Sequence, residues 1–92
     1  MPNYLKHYEQ LCSSRKLLHR TKKDDVYYEE HHIIPKSLGG SDDSDNLVLF
    51  TAREHFIVHK LLCEIYPNET KLVYAYWMMS RNVSNSKYKR EY

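Results

Sequence analysis

The chain's two glycines stand side by side at positions 39 and 40, and the segments flanking them constrain most of what this sequence can fold into. Pro35 through Asn46 is dominated by proline, glycine, serine and aspartate, the composition of a loop whose backbone turns in ways that only glycine tolerates cheaply. Before it, Val26, Tyr27, Tyr28, Ile33 and Ile34 supply the β-branched and aromatic residues of a strand, stopped by Pro35. After it, Leu47-Val48-Leu49-Phe50 is a short apolar run suited to return antiparallel to the first. Thr51-Ala52-Arg53-Glu54 then matches a capping box, which predicts a helix from Ala52 to about Ile65, ended before Pro67.

Helical patterns flank this unit. Asn3 to about Arg20 places Tyr4, Tyr8, Leu11 and Cys12 along one side, followed by Lys16 and His19, and Thr21 to Asp25 reads as a connection. Asn68 suits the N-cap of a last helix over residues 68–82, with Leu72, Val73, Tyr76 and Met79 on one side and Trp77 and Met78 adding bulk. From Asn82 the chain is polar. The expectation is a small α+β domain over residues 1–92, with an antiparallel hairpin and a helix at 27–62 and helices at 3–20 and 68–82 on either side.

A length of 92 residues admits one modest core and one small site, and leaves no room for a separate recognition domain. Cys12 and Cys63 lie in unrelated contexts with no CxxC pair, so neither a disulfide framework nor a cysteine zinc cage is expected; both read as small apolar side chains. Met1 to Gln10 is no signal peptide, and no apolar run is long enough to cross a bilayer, which predicts a cytoplasmic protein with no membrane partner. The N-x-S/T matches at Asn68 and Asn82 then carry no glycosylation meaning. Net charge is +2, with one basic cluster over Arg15, Lys16, His19, Arg20, Lys22 and Lys23, another at Lys87, Lys89 and Arg90, and an acidic stretch at Ser41 to Asp45. That pattern permits a polyanionic partner without announcing one.

The histidines carry more information. His55 and His59 are four apart in the predicted helix, so both lie on one face within reach of a single ion. His31 and His32 are consecutive near a strand end, where neighbours point to opposite faces, so one can face an ion and the other a substrate, although two adjacent histidines standing alone also fit a half-buried strand pair.

Taken together, Glu30-His31-His32-Ile33-Ile34-Pro35-Lys36, Gly39-Gly40, Asp45-Asn46-Leu47 and Glu54-His55 through His59 resemble the HNH endonuclease family, nearest to its small phage and intron-encoded homing-type members, with the same signature in colicin-type nuclease domains. The resemblance implies a ββα-metal core over residues 27–62 and a metal-dependent nuclease that hydrolyses DNA phosphodiesters, nicking or cutting both strands. It implies His31, His55 and His59 as ligands of one divalent ion, His32 as general base, and Asn46 as the residue that orients the base through a hydrogen bond.

Histidine takes a proton near neutral pH when its ring is held in one tautomer, and three imidazoles leave an open position on an ion for a phosphate. Imidazole donors favour a zinc-like ion in the purified protein, while magnesium, manganese or nickel are expected to support activity. Lys36, Arg53 and Lys60, beside the site in sequence, are expected to contact phosphates of double-stranded DNA, along with the cluster Arg15 to Lys23. Such contacts carry little sequence information, so a further specificity module or protein partner is expected. The competing class is a zinc-stabilised module that binds nucleic acid without cutting, and a toxin-like nuclease held by an immunity partner would share the same site.

Overall fold

Two strands of four residues are marginal on their own, and the fold resolves this by laying them between helices. The computed structural model describes residues 2–81; the polar tail from Asn82, with Lys87, Lys89 and Arg90, lies outside the described residues. The order is α1 (Tyr4–Lys16), β1 (Glu29–His32), β2 (Leu47–Phe50), α2 (Ala52–Ile65) and α3 (Thr70–Arg81), with short 3-10 turns at Lys36–Leu38 and Ser44–Asn46 inside the loop that joins the strands. β1 and β2 pair antiparallel in the register Glu29↔Phe50, Glu30↔Leu49, His31↔Val48 and His32↔Leu47. One core gathers Tyr8 and Cys12 from α1, Val48 and Phe50 from β2, Val58 and Leu62 from α2 and Leu72 from α3. Cys12 and Cys63 are both free thiols, Cys12 buried and Cys63 half-buried.

The α+β architecture and the second strand agree with the sequence, as does the helix from Ala52 to Ile65 with both bonds of its capping box. Three boundaries differ. The first helix stops at Lys16 instead of about Arg20. Leu17 and Leu18 have no core to face and stay exposed, and His19 takes a left-handed turn at φ 50°. That turn brings Arg20 back onto the domain, where it donates to the Leu49 carbonyl and to Glu54.

The first strand is only Glu29–His32, not the whole of 26–34, because its partner offers four residues and Val26 and Tyr27 remain exposed. Beyond His32 the ladder gives way to Asn46: Ile33 N donates to the Asn46 carbonyl and Ile34 N to its side chain. Asn68 does not cap the last helix. Pro67 and Asn68 form the centre of a turn closed by Glu69 N on the Tyr66 carbonyl, and α3 begins at Thr70. On α3, Leu72 and Met79 are buried, Tyr76 stacks on Phe56, and Val73 and Trp77 face outward. No helix among the described residues is long and apolar enough to cross a membrane.

Glu54 joins three segments. Besides closing the capping box with Thr51, its carboxylate accepts from Arg15 Nε and Arg20 Nη1, each at 2.6 Å. Burial opposes the charge, but the bonds from Arg20, Arg15 and the Thr51 backbone outweigh it and hold the carboxyl down at about 2. Because the folded value lies below the unfolded one, this stabilisation is present above the ordinary glutamate range and is lost as pH falls from about 4.5 towards 2. Thermal melts should therefore show the wild-type melting temperature dropping through that window. Glu54→Ala should cost about 2–4 kcal/mol at neutral pH and flatten the same part of the profile.

Candidate active site

Alternation along β1 turns Glu29 and His31 inward and Glu30 and His32 outward. Phe50 and Val48, buried from β2, support the inward side, and α2 lies across it with His55 and His59 on successive turns. The three rings of His31, His55 and His59 converge, with centroids 5.2 Å apart for His31–His55 and His31–His59 and 4.7 Å for His55–His59. One nitrogen from each lies within 4.8 Å of the others. An ion bonded to imidazole nitrogens at about 2 Å holds its donors within about 4 Å of one another, so a small inward movement suffices to close the set on zinc or a similar cation.

The donor chemistry fits as well. His31 is 3 % exposed, and burial first, then the nearby His55, His59 and His32, drive its pKa down to about 2, so the ring is neutral and keeps a lone pair to offer. His55 Nδ1 sits 2.8 Å from Glu29 Oε1, and Glu29 in turn accepts from the Tyr27 hydroxyl through Oε2 at 2.6 Å. A carboxylate behind an imidazole in this way orients the ring and raises its basicity towards a metal.

His32 stands beside the trio and outside it. Its Nε2 lies 2.7 Å from Asp42 Oδ1, and Lys36 Nζ donates to the other Asp42 oxygen at 2.9 Å. Those hydrogen bonds, from His32 first and then Lys36, keep the Asp42 carboxyl below the usual carboxylate range. An ionised carboxylate only accepts, so His32 donates to Asp42 from Nε2, and the second ring nitrogen, Nδ1, is left outside that bond.

Asn46 does not orient His32, contrary to the sequence expectation. Its side chain accepts from Ile34 N at 2.8 Å and donates to the carbonyls of Ile34 at 3.0 Å and Ser41 at 2.8 Å. The buried amide thereby ties the start of the loop to its middle and sets where His32 leaves the sheet. Asp42, part of the acidic stretch in the sequence, makes the contact expected of Asn46. The loop closes so tightly that a Cβ on Gly40 would lie 1.7 Å from the Ile34 carbonyl oxygen, whereas Gly39 is needed for its φ of 94° and has open space around it.

A cavity of about 250 Å³ opens over the histidines, lined by His31, His32, His55, His59, Lys36 and Lys71 among others. Lys36 lines this cavity and is paired with Asp42. Arg53 and Lys60 are exposed on α2 but do not line the cavity. Of the basic cluster, Arg15 and Arg20 are bound to Glu54, and Lys16 Nζ donates to the carbonyls of Ser44 and Leu47. Lys71 was not singled out from the sequence, since a lone lysine in a helical pattern gives no sign of which cavity it borders. Glu29 was missed too, though it shares the period-2 face of His31 and that periodicity was the available signal.

A family model described as HNH endonuclease matches residues 10–59, which spans the second half of α1, the hairpin and both helical histidines. The chain belongs to the HNH endonuclease family. It is similar to three proteins of Enterobacteria phage T4: probable mobile endonuclease D, 55% identical over 82% of this chain; probable mobile endonuclease E, 46% identical over 98%; and probable mobile endonuclease C, 43% identical over 94%. The chain spans 29%, 60% and 42% of those relatives' own lengths, respectively. No solved structure matches it. In this HNH chain the matched segment contains the whole histidine trio, His32, Asp42 and the Asn46 tie.

Gly40→Ala should destabilise the domain more than Gly39→Ala, because the first forces atoms apart while the second only imposes a strained φ worth about 1–2 kcal/mol. Asn46→Ala, which strips three hydrogen bonds from a buried loop, should cost about 2–4 kcal/mol. Chemical denaturation of the three variants ranks them directly.

Proposed function

We propose that this chain is the cutting unit of a DNA endonuclease, with His32 as general base and His31, His55 and His59 as the protein ligands of one divalent ion, zinc-like as purified. The observation that carries this is His32 itself: a fourth histidine on the same cavity, left out of the metal-ready trio and held at Nε2 by a carboxylate. A structural metal site has no use for such a ring.

In the proposed reaction a phosphate of double-stranded DNA enters the cavity beside Lys36 and Lys71, whose ammonium groups attract its charge. His32 Nδ1 takes a proton from a water in line with the leaving oxygen. The oxygen of that water bonds to phosphorus as the bond to the 3′ oxygen breaks, and the departing 3′ oxygen takes a proton from solvent. Asp42 keeps the proton of His32 on Nε2 throughout and stabilises the imidazolium that forms, while Lys36 holds Asp42 in place. His31, His55 and His59 would hold a divalent ion, which would supply positive charge to the phosphate and to the departing oxygen. Asn46 acts at one remove, by fixing the loop that carries Asp42 relative to the strand that carries His32. Names of relatives as mobile endonucleases support a DNA substrate, and the further length of those relatives leaves room for target choice by other segments or a partner.

Cleavage of supercoiled plasmid in the presence of magnesium, manganese, nickel or zinc, beside a chelator control, tests this. Nicked or linear product that requires metal is expected, and its form separates nicking from double-strand cutting. His32→Ala should lose roughly 10²- to 10⁴-fold in rate while still binding metal, and Asp42→Asn should lose less. DNA and metal bound without cleavage under any ion would instead favour a binding module.

A further inference from the structure

Tyr8 lies on α1, before the strand-loop-helix unit, yet its hydroxyl reaches the centre of the site. It stands 2.6 Å from His31 Nε2 and 2.6 Å from the Ile33 carbonyl oxygen. A phenol has one proton to give, and a carbonyl has none. The hydroxyl therefore donates to Ile33, and its contact with His31 is a bond only when Nε2 carries the ring proton and donates to Tyr8. A neutral imidazole protonated at Nε2 has its lone pair at Nδ1.

We propose, on the metal-binding reading of His31, His55 and His59, that Tyr8 is a positioning residue that locks His31 in the Nε2–H tautomer and commits Nδ1 as its metal donor. His55 is set the opposite way. Its Nδ1 faces Glu29 Oε1 at 2.8 Å, which leaves Nε2 to the ion. Two ligands of one site are thus fixed in opposite tautomers by groups on different elements, Tyr8 from α1 and Glu29 from β1. Water does not compete for the Tyr8 contact, since Tyr8 is 4 % exposed and packs edge-on to the His31 ring. The α1 helix thereby contributes to the site as well as to the core.

Long-range proton–nitrogen correlation spectra of the histidine rings, recorded on the metal-free chain and on the chain loaded with zinc alone, test the assignment without any substitution. The expected pattern is His31 protonated at Nε2 in both states with zinc on Nδ1, and His55 protonated at Nδ1 with zinc on Nε2. Tyr8→Phe keeps the ring and its packing; zinc affinity, measured by competition with a chromogenic chelator, should fall roughly 10- to 100-fold. The metal-free variant should show His31 divided between tautomers, which loss of packing alone would not produce. Zinc on His31 Nε2, or undiminished affinity in a folded Tyr8→Phe chain, overturns the role of Tyr8 while leaving the metal site intact. A wild-type chain that takes up no zinc overturns the metal-binding reading and this assignment with it. Should Tyr8→Phe fail to fold, the wild-type spectra decide by themselves.

Discussion

A neutral imidazole buried in the middle of a 92-residue domain is the constraint around which this structure is arranged. Both nitrogens of His31 need partners, because an unsatisfied buried polar atom costs about 1–3 kcal/mol, a large share of what so small a core supplies. Three packed elements surround the ring. Tyr8 from α1 takes Nε2, Phe50 from β2 covers the ring, and His55 and His59 from α2 face it from the remaining side. Placing this histidine at the centre of the core makes packing and site geometry one problem, since His31 is held against Tyr8 and Phe50 and paired with Val48.

The second requirement is that the hairpin hold its register over only four pairs, where a slip of one residue would turn His31 out and His32 in. Strand pairing alone is a weak guard at this length. Asn46 supplies the missing constraint by bonding across the loop to both backbone groups of Ile34 and to Ser41, and Gly40 lets the loop lie against the Ile34 carbonyl. The side chain thus works as an extra rung of the ladder. The same loop places Asp42 at His32 Nε2.

Charge is divided between scaffold and site. Arg15 and Arg20, conspicuous in the sequence as part of a basic cluster, converge on Glu54 and bind the end of α1 and the turn after it to the start of α2. Lys16 closes carbonyls at the end of the loop and the head of β2. The cations that border the histidine cavity are others, Lys36 and Lys71, the second contributed by α3. The chain belongs to the HNH endonuclease family, and in it the hairpin and α2 carry the histidines while the flanking helices bring Tyr8 and Lys71 beside them.

The sequence by itself determined the local elements and which histidines share a face. A capping box, a double glycine and a four-residue spacing are short-range signals whose physics acts within a turn or two of chain, so β2, α2, the pairing of His55 with His59 and the resemblance carried by residues 27–62 were legible without any coordinates. Boundaries that rest on long-range partners were not. α1 ends at Lys16 because Arg20 has to reach Glu54, and β1 is short because β2 offers no further partner. The choice between Asn46 and Asp42 as neighbour of His32, the approach of Tyr8 to His31 and the arrival of Lys71 at the cavity were decided only by tertiary structure. Each depends on how loops and helices distant in sequence pack around one buried ring, and hydrogen-bond partners at that range leave no periodicity in the chain.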